Sequence, residues 1–283
     1  MGTFAGMPRQ TEPIIFSSDA KERHRLSRDL WNYRELFVAL VLRDLRVRYK
    51  QTVIGVAWAV IQPVTLMLVI TVFFGYLGRF PSDGIPYPIF AYCALLPWQL
   101  FARALNEGGM SIVSNQALVR KIYFPRIILP AAVIASSLID FAIAFIVLLA
   151  LMAWYGMTIT LSVLLVPVLV VVVIAASIGV SLLFAALYVR FRDIRHVLPL
   201  LTQVWFFASP IVYPSSLIPD AFRTIYGLNP MVGVIEGFRW ALLEEARPPD
   251  WSMLAISISV VLVLAIGGML YFRRAEKTFA DRL

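Results

Sequence analysis

Charge, cysteine and histidine are all scarce in this 283-residue chain, and each scarcity closes off a class of function. Cys93 stands alone, so it can close no internal disulfide and build no cysteine metal cluster. His24 and His196 have no ligand-type neighbour at metal-binding spacing. No G-x-x-x-x-G-K-[ST] loop occurs, which excludes ATP hydrolysis by the P-loop route. G-x-S-x-G, H-E-x-x-H and D-x-D are missing too, so neither a catalytic site nor a metal is expected on this chain. Residues 1–28 are polar, mixed in charge and without an apolar core, so no cleavable signal peptide is expected there. Internal repeats and low-complexity tracts are absent.

What is abundant is apolar surface. Hydrophobic residues make up 60% of the chain and charged ones 15%, against about 45–50% and 25% in soluble domains. Uncharged runs longer than about 18 residues recur, which is the length a helix needs to cross a hydrocarbon core. An all-α integral membrane protein is therefore predicted. Six crossings are expected, near 53–77, 89–114, 127–155, 160–189, 197–213 and 252–272, forming one transmembrane domain over 53–272. Two are irregular. The 197–213 run is short for a full crossing, and 89–114 is cleanly apolar only to Ala102, before Arg103, Asn106 and Glu107.

The net charge of +8 clusters beside the apolar runs, which fits membrane topology better than nucleic-acid binding. With six crossings, Lys and Arg number 20 on the N-terminal side and 4 on the other; deleting 89–114 makes it 13 against 12. Cations collect on the cytoplasmic side. Both termini are thus expected in the cytoplasm, with 273–283 as a tail.

Residues 1–28 read as an irregular arm carrying one apolar patch, Ile14, Ile15 and Phe16. An amphipathic helix lying in the membrane interface is expected over 29–52, with Asp29 as its cap. Leu30, Tyr33, Phe37, Leu40, Val41 and Leu45 share one face; Glu35, Arg43, Arg46 and Lys50 lie opposite. Arg34, Asp44 and Arg48 interrupt the stripe. The stretch 214–250 holds five prolines yet stays apolar, so it is expected to fold back into the outer leaflet as re-entrant helices.

Three ionisable residues fall inside crossings, where each is a candidate functional group. Arg103 and Glu107 are four apart and can neutralise each other on one helix face. Asp140 has two open readings, pairing with a cation on another helix or facing a water-filled path.

The stretch 43–63 reads RDLRVRYKQTVIGVAWAVIQP, a cationic cluster followed directly by an uncharged run. Its Arg43, Asp44, Arg48, Tyr49, Lys50, Gly55, Trp58 and Pro63 resemble the entrance to the first crossing of ABC-2 type permeases that export lipid-linked O-antigen and related polysaccharides. The similarity continues in WNYRELF (31–37), LLPWQLF (95–101), KIYFPR (121–126) and SPIVYP (209–214), and so covers nearly the whole chain. The resemblance implies a homodimer working with two copies of a separate P-loop ATPase subunit, which would carry ATP and Mg while this chain carries no cofactor. It implies a bacterial inner-membrane location and an undecaprenyl-diphosphate-linked polysaccharide moved outward.

Under that resemblance the cytoplasmic segment 115–126 is the candidate ATPase-coupling element, through Arg120, Lys121, Ile122, Tyr123, Phe124 and Arg126. Topology alone accounts for its cations but not for its aromatic pair. Arg46, Arg48 and Lys50 are candidate receptors for a diphosphate head group, since arginine forks match phosphate oxygens; ordinary pairing with membrane lipids is the competing reading. Trp58, Tyr92, Trp98, Trp205, Phe206 and Phe207 are candidate conduit-lining rings, on which sugar C–H faces can stack. Teichoic acid or capsule export would use the same architecture. A drug-type ABC-2 permease generally lacks the 43–50 pattern, and a membrane glycosyltransferase would need clustered acidic residues. Asp220, Glu236, Glu244, Glu245 and Asp250 are too scattered for that.

Overall fold

A computed structural model describes residues 33–50, 55–158, 160–243, 246 and 248–279. The 1–28 arm, the Asp29 cap, Glu244 and Glu245 lie outside the described residues. Among those described, the chain is helical without strands. We number the helices α1 Arg34–Tyr49, α2 Gly55–Leu77, α3 Tyr87–Ser114, α4 Gln116–Lys121 and α5 Ile128–Trp154. They continue as α6 Leu161–Arg190, α7 Ile194–Phe207, α8 Asp220–Gly227, α9 Pro230–Leu242 and α10 Trp251–Glu276.

Five of these, α2, α3, α5, α6 and α10, are long and apolar enough to cross a membrane. The most deeply buried is α3, whose residues Ile89 to Trp98 are all shielded by neighbouring helices. Its polar second half is no interruption: Arg103 and Glu107 continue the same helix through a π turn at Ala104–Gly108. The widest helix contact joins α6 to α10. There Gly179 and Gly268 bring two backbones together, and a Cβ on Gly268 would collide with the Gly179 carbonyl. Small residues permit such approach where both helices are apolar and shape alone drives association.

The run expected as a crossing at 197–213 folds differently. Its helix, α7, spans Ile194–Phe207 and has 14 residues, a length of about 21 Å against the roughly 30 Å of a hydrocarbon core. Pro210 has no N–H to continue the ladder, and the chain bends at 208–214 with Ser209, Ile211 and Val212 buried. The greasy stretch that follows forms the two short helices α8 and α9. Asn229 starts α9 as a true cap, its Oδ1 accepting from the Met231 N–H at 2.9 Å, with Pro230 in the first turn.

Asn229 also locks this region. Its Oδ1 accepts from Trp205 Nε1 at 2.8 Å, and its Nδ2 donates to Ser209 Oγ at 2.9 Å. Ser257 Oγ donates to the Asn229 carbonyl at 3.2 Å, two turns inside α10. The end of α7 is therefore tied to the start of α9, although Leu198 is the one fully buried side chain along α7. Arg239 pins α9 to α3: it is 3% exposed, stacks 3.5 Å over the Phe90 ring and pairs with Glu236 at 3.1 Å.

The helix expected in the interface is α1, and its inward face is Tyr33, Leu36, Phe37, Leu40, Val41, Asp44, Leu45, Arg48 and Tyr49. Spacing of three and four is maintained throughout. Leu40 and Val41 pack with Phe124, Ile128, Leu129 and Ala132 in a second core. Asp44 and Arg48, which interrupt the stripe in sequence, point inward. Val38, Leu42 and Val47 are exposed on the other side.

Candidate functional site

Three helices converge at the inner end of α1. Arg48 and Tyr49 come from its last turn, Arg103 and Glu107 from the π turn region of α3, and Asp140 from the middle of α5. Arg48 donates to Asp140 Oδ2 and, at 3.0 Å, to Glu107 Oε2. Arg103 donates to the same Asp140 oxygen and stands 3.6 Å from Glu107 Oε1. Tyr49 donates its hydroxyl to Asp140 Oδ1. Two guanidinium groups thus face two carboxylates, and the cluster is electrically neutral.

Neutrality decides whether such groups can sit at membrane depth, because an unpaired buried ion costs several kcal/mol. Burial opposes the charge on Arg48, but the Glu107 and Asp140 carboxylates outweigh it and hold its pKa above the usual guanidinium value. Burial, with the hydrogen bond to Asp140, pushes the Tyr49 phenol up to about 12. Tyr49 is therefore a neutral donor at physiological pH.

The π turn shapes this arrangement. Inside it, Ser181 Oγ donates to the Ala104 carbonyl at 2.6 Å, while Asn106 Nδ2 bridges the Ala102 carbonyl and Thr202 Oγ1, each at 2.8 Å. A Cβ on Gly108 would press on Ser181, so only glycine permits that approach. Such π turns often mark functional positions in helices. Beside the cluster, a cavity of about 20 Å³ is lined by Gln62, Gln99, Arg103, Ser137 and Asp140, roughly enough for one water.

Asp140 is therefore paired across helices, the first of its two open readings. Arg103 and Glu107 do pair with each other, as members of a larger group. Arg48 is committed to carboxylates, whereas Arg46 and Lys50 are exposed; the three candidate head-group residues do not form one patch.

The coupling segment also divides. Arg120, Lys121, Ile122 and Tyr123 are exposed, Tyr123 at 79%. Phe124, by contrast, is buried: at 3% exposed it is anchored in the core that holds Leu40 and Val41. Arg126 donates to the Glu276 carbonyl, and its backbone N–H donates to Glu276 Oε1 at 3.0 Å. Its guanidinium lies 5.7 Å from the Phe279 ring centre.

Among the candidate rings, Tyr92 is wholly buried and donates to the Ala144 carbonyl at 3.2 Å, and Trp98 is buried as well. Trp205 meets Phe101 edge-on at 5.0 Å, and Phe206 meets Trp98 at 5.7 Å. Trp58 and Phe207 are open to the exterior. Sequence reasoning missed Tyr49, Asn106 and Arg239 as binding partners. Tyr49 had a signal, since it follows Arg48 on the face that breaks the apolar stripe.

Comparison with known proteins supplies the family. Residues 35–243 match the model of the ABC-2 type transporter family. The chain is 35% identical over 264 residues to the O-antigen export system permease protein RfbA of Myxococcus xanthus, covering 92% of this chain and 99% of that one. It is 28% identical over 250 residues to the O-antigen export system permease protein RfbA of Klebsiella pneumoniae, covering 88% and 95%. It is also 29% identical over 246 residues to the polysialic acid transport protein KpsM of Escherichia coli, covering 84% and 93%. The chain belongs to the ABC-2 type transporter family, as a multi-pass membrane permease.

Proposed function

We propose that this chain is the permease subunit of an ATP-driven exporter that moves a lipid-linked polysaccharide outward across the bacterial inner membrane. The observation that carries this reading is the end-to-end similarity to O-antigen export permeases. The chain acts as a homodimer with two copies of a separate P-loop ATPase subunit, which binds ATP and Mg. Both termini are cytoplasmic, as the 20-to-4 distribution of cations favours. Five long helices then need a sixth crossing. The short α7 provides its inner part, and the re-entrant α8–α9 pair fills the outer part.

Coupling follows a physical chain of contacts. The exposed tip at Arg120–Tyr123 receives the push from the closing ATPase. Phe124, rooted in the same core as Leu40 and Val41, passes displacement to α1. The Arg48–Asp140 bonds then transmit it to α3 and α5, or release α1 when they break. Arg46 and Lys50, on the free side of α1, meet the diphosphate of the incoming lipid. Trp58 and Phe207 are the two candidate rings available to line the path between protomers.

Deleting the gene in its host tests this directly. Loss of surface polysaccharide with accumulation of the lipid-linked form supports the reading; unchanged surface glycan removes it. Similarity to KpsM over 93% of that protein's length favours capsular polysaccharide as a second reading. A missing capsule with an intact lipopolysaccharide ladder would select it.

A further inference from the structure

A second cavity, of about 280 Å³, lies between the last turns of α6 and α10 and shares no residue with the charge cluster. Its walls are divided by chemistry. Val189 and Phe279 give an apolar floor, Tyr271 and Thr278 give hydroxyls, and Arg190 and Arg274 stand over it. No carboxylate lines it, and neither arginine makes an ion pair among the described residues. Arg190 rests 5.1 Å from the Phe191 ring centre, a contact that leaves its N–H fork unused. Helix C-termini such as these carry partial negative charge, which two arginines exceed.

We propose that this cavity is a binding site for the phosphate head group of an anionic phospholipid. An apolar floor between two crossing helices suits acyl chains, and two guanidinium groups without an ion pair among the described residues suit a phosphate. Isolated cations at helix ends need no cavity; here both overhang the same concave, partly apolar volume. Placement in the cytoplasmic leaflet rests on the topology proposed above. Binding in micelles does not, so the two ideas can fail separately.

The test titrates the purified full-length chain, in mixed micelles, with dioleoyl phosphatidylglycerol or dioleoyl phosphatidylcholine and counts retained lipid by native mass spectrometry. Wild type retains phosphatidylglycerol selectively. R190Q/R274Q should bind it about twenty-fivefold more weakly, two cations each contributing roughly fivefold. R190K/R274K should keep most of the selectivity, and R273Q, on an exposed residue outside the cavity, should behave as wild type. Equal losses in R273Q and R190Q/R274Q would overturn the site in favour of a diffuse field. Displacement by a polyprenyl diphosphate at lower concentration than phosphatidylglycerol would assign the cavity to a carrier lipid instead. Unaltered lipid binding in R190Q/R274Q, with lost ATPase co-purification, would make it a subunit contact and overturn the proposal.

Discussion

Replacing Asp140 by asparagine removes the one group that touches Arg48, Tyr49 and Arg103 together. Two guanidinium groups would then share Glu107, whose side chain is 49% exposed. Breaking a fully buried pair from one side costs about 3–5 kcal/mol. Here the side chains are 11% exposed for Asp140, 20% for Arg48 and 22% for Arg103, so partial screening reduces the expected cost to about 2–3 kcal/mol. The loss should fall on α1 docking, because the hydrogen bonds from Arg48 and Tyr49 fasten its end to α5. Thermal unfolding in detergent reports the stability, and spin labels at Val47 and Ile139, both exposed, report the α1–α5 distance. The double variant Arg103→Gln with Asp140→Asn removes one charge of each sign and should recover part of the loss. An unchanged melting temperature in Asp140→Asn, or strictly additive effects in the double variant, would refute the cluster as a coupled unit.

Neighbouring positions in the coupling segment should separate. Tyr123→Ala should leave stability intact and weaken ATPase co-purification, while Phe124→Ala should cost about 3–5 kcal/mol in thermal unfolding and lower yield. At the α6–α10 contact, Gly268→Ala should destabilise by at least about 1–3 kcal/mol. Gly267→Ala, with open space at its Cβ, should be neutral or slightly stabilising in the same melt. Asp250 caps α10, its Oδ1 accepting from Ser252 Oγ at 2.6 Å and from the Ser252 N–H at 2.9 Å. The Ser252 hydroxyl, helped by the Met253 and Ser252 amide N–H groups, holds its pKa below the usual value. Its stabilisation is present above the unfolded pKa of about 3.9 and is lost as pH falls through the folded value. Asp250→Ala should therefore cost about 1 kcal/mol at neutral pH, with the gap to wild type closing in acid. Cysteines at Ser82 and Ser216, in a Cys93-replaced background, should react with an impermeant thiol reagent from outside intact cells; labelling at Asp193 instead would reverse the topology.

The membrane-crossing helices were readable because hydrocarbon imposes length and apolarity on each one locally, as at α5 and α6. The same locality explains why the helix at 197–213 ends short of the expected bound. Its apolar run continues past Phe207 because the following bend is buried in protein, so composition did not mark where the helix stops; only Ser209 and Pro210 hinted at it. Tyr123 and Phe124 are adjacent and chemically alike, yet one is exposed and the other buried, which only the core around Val119 and Ile128 decides. The charge cluster was visible in pieces. Arg48 and Asp140 are 92 residues apart, so no spacing rule links them. What sequence did carry was the anomaly of each charge, one on an apolar face and one inside a crossing.

The central claim is that this chain carries a lipid-linked polysaccharide across a bilayer under the drive of a separate ATPase. Its most direct test is reconstitution of the purified permease and ATPase in vesicles that hold the lipid-linked glycan, with lectin access reporting which leaflet displays the sugar. The account predicts that ATP removes glycan from the ATPase-facing leaflet and that a hydrolysis-deficient ATPase does not. ATP turnover with an unchanged glycan distribution would contradict it.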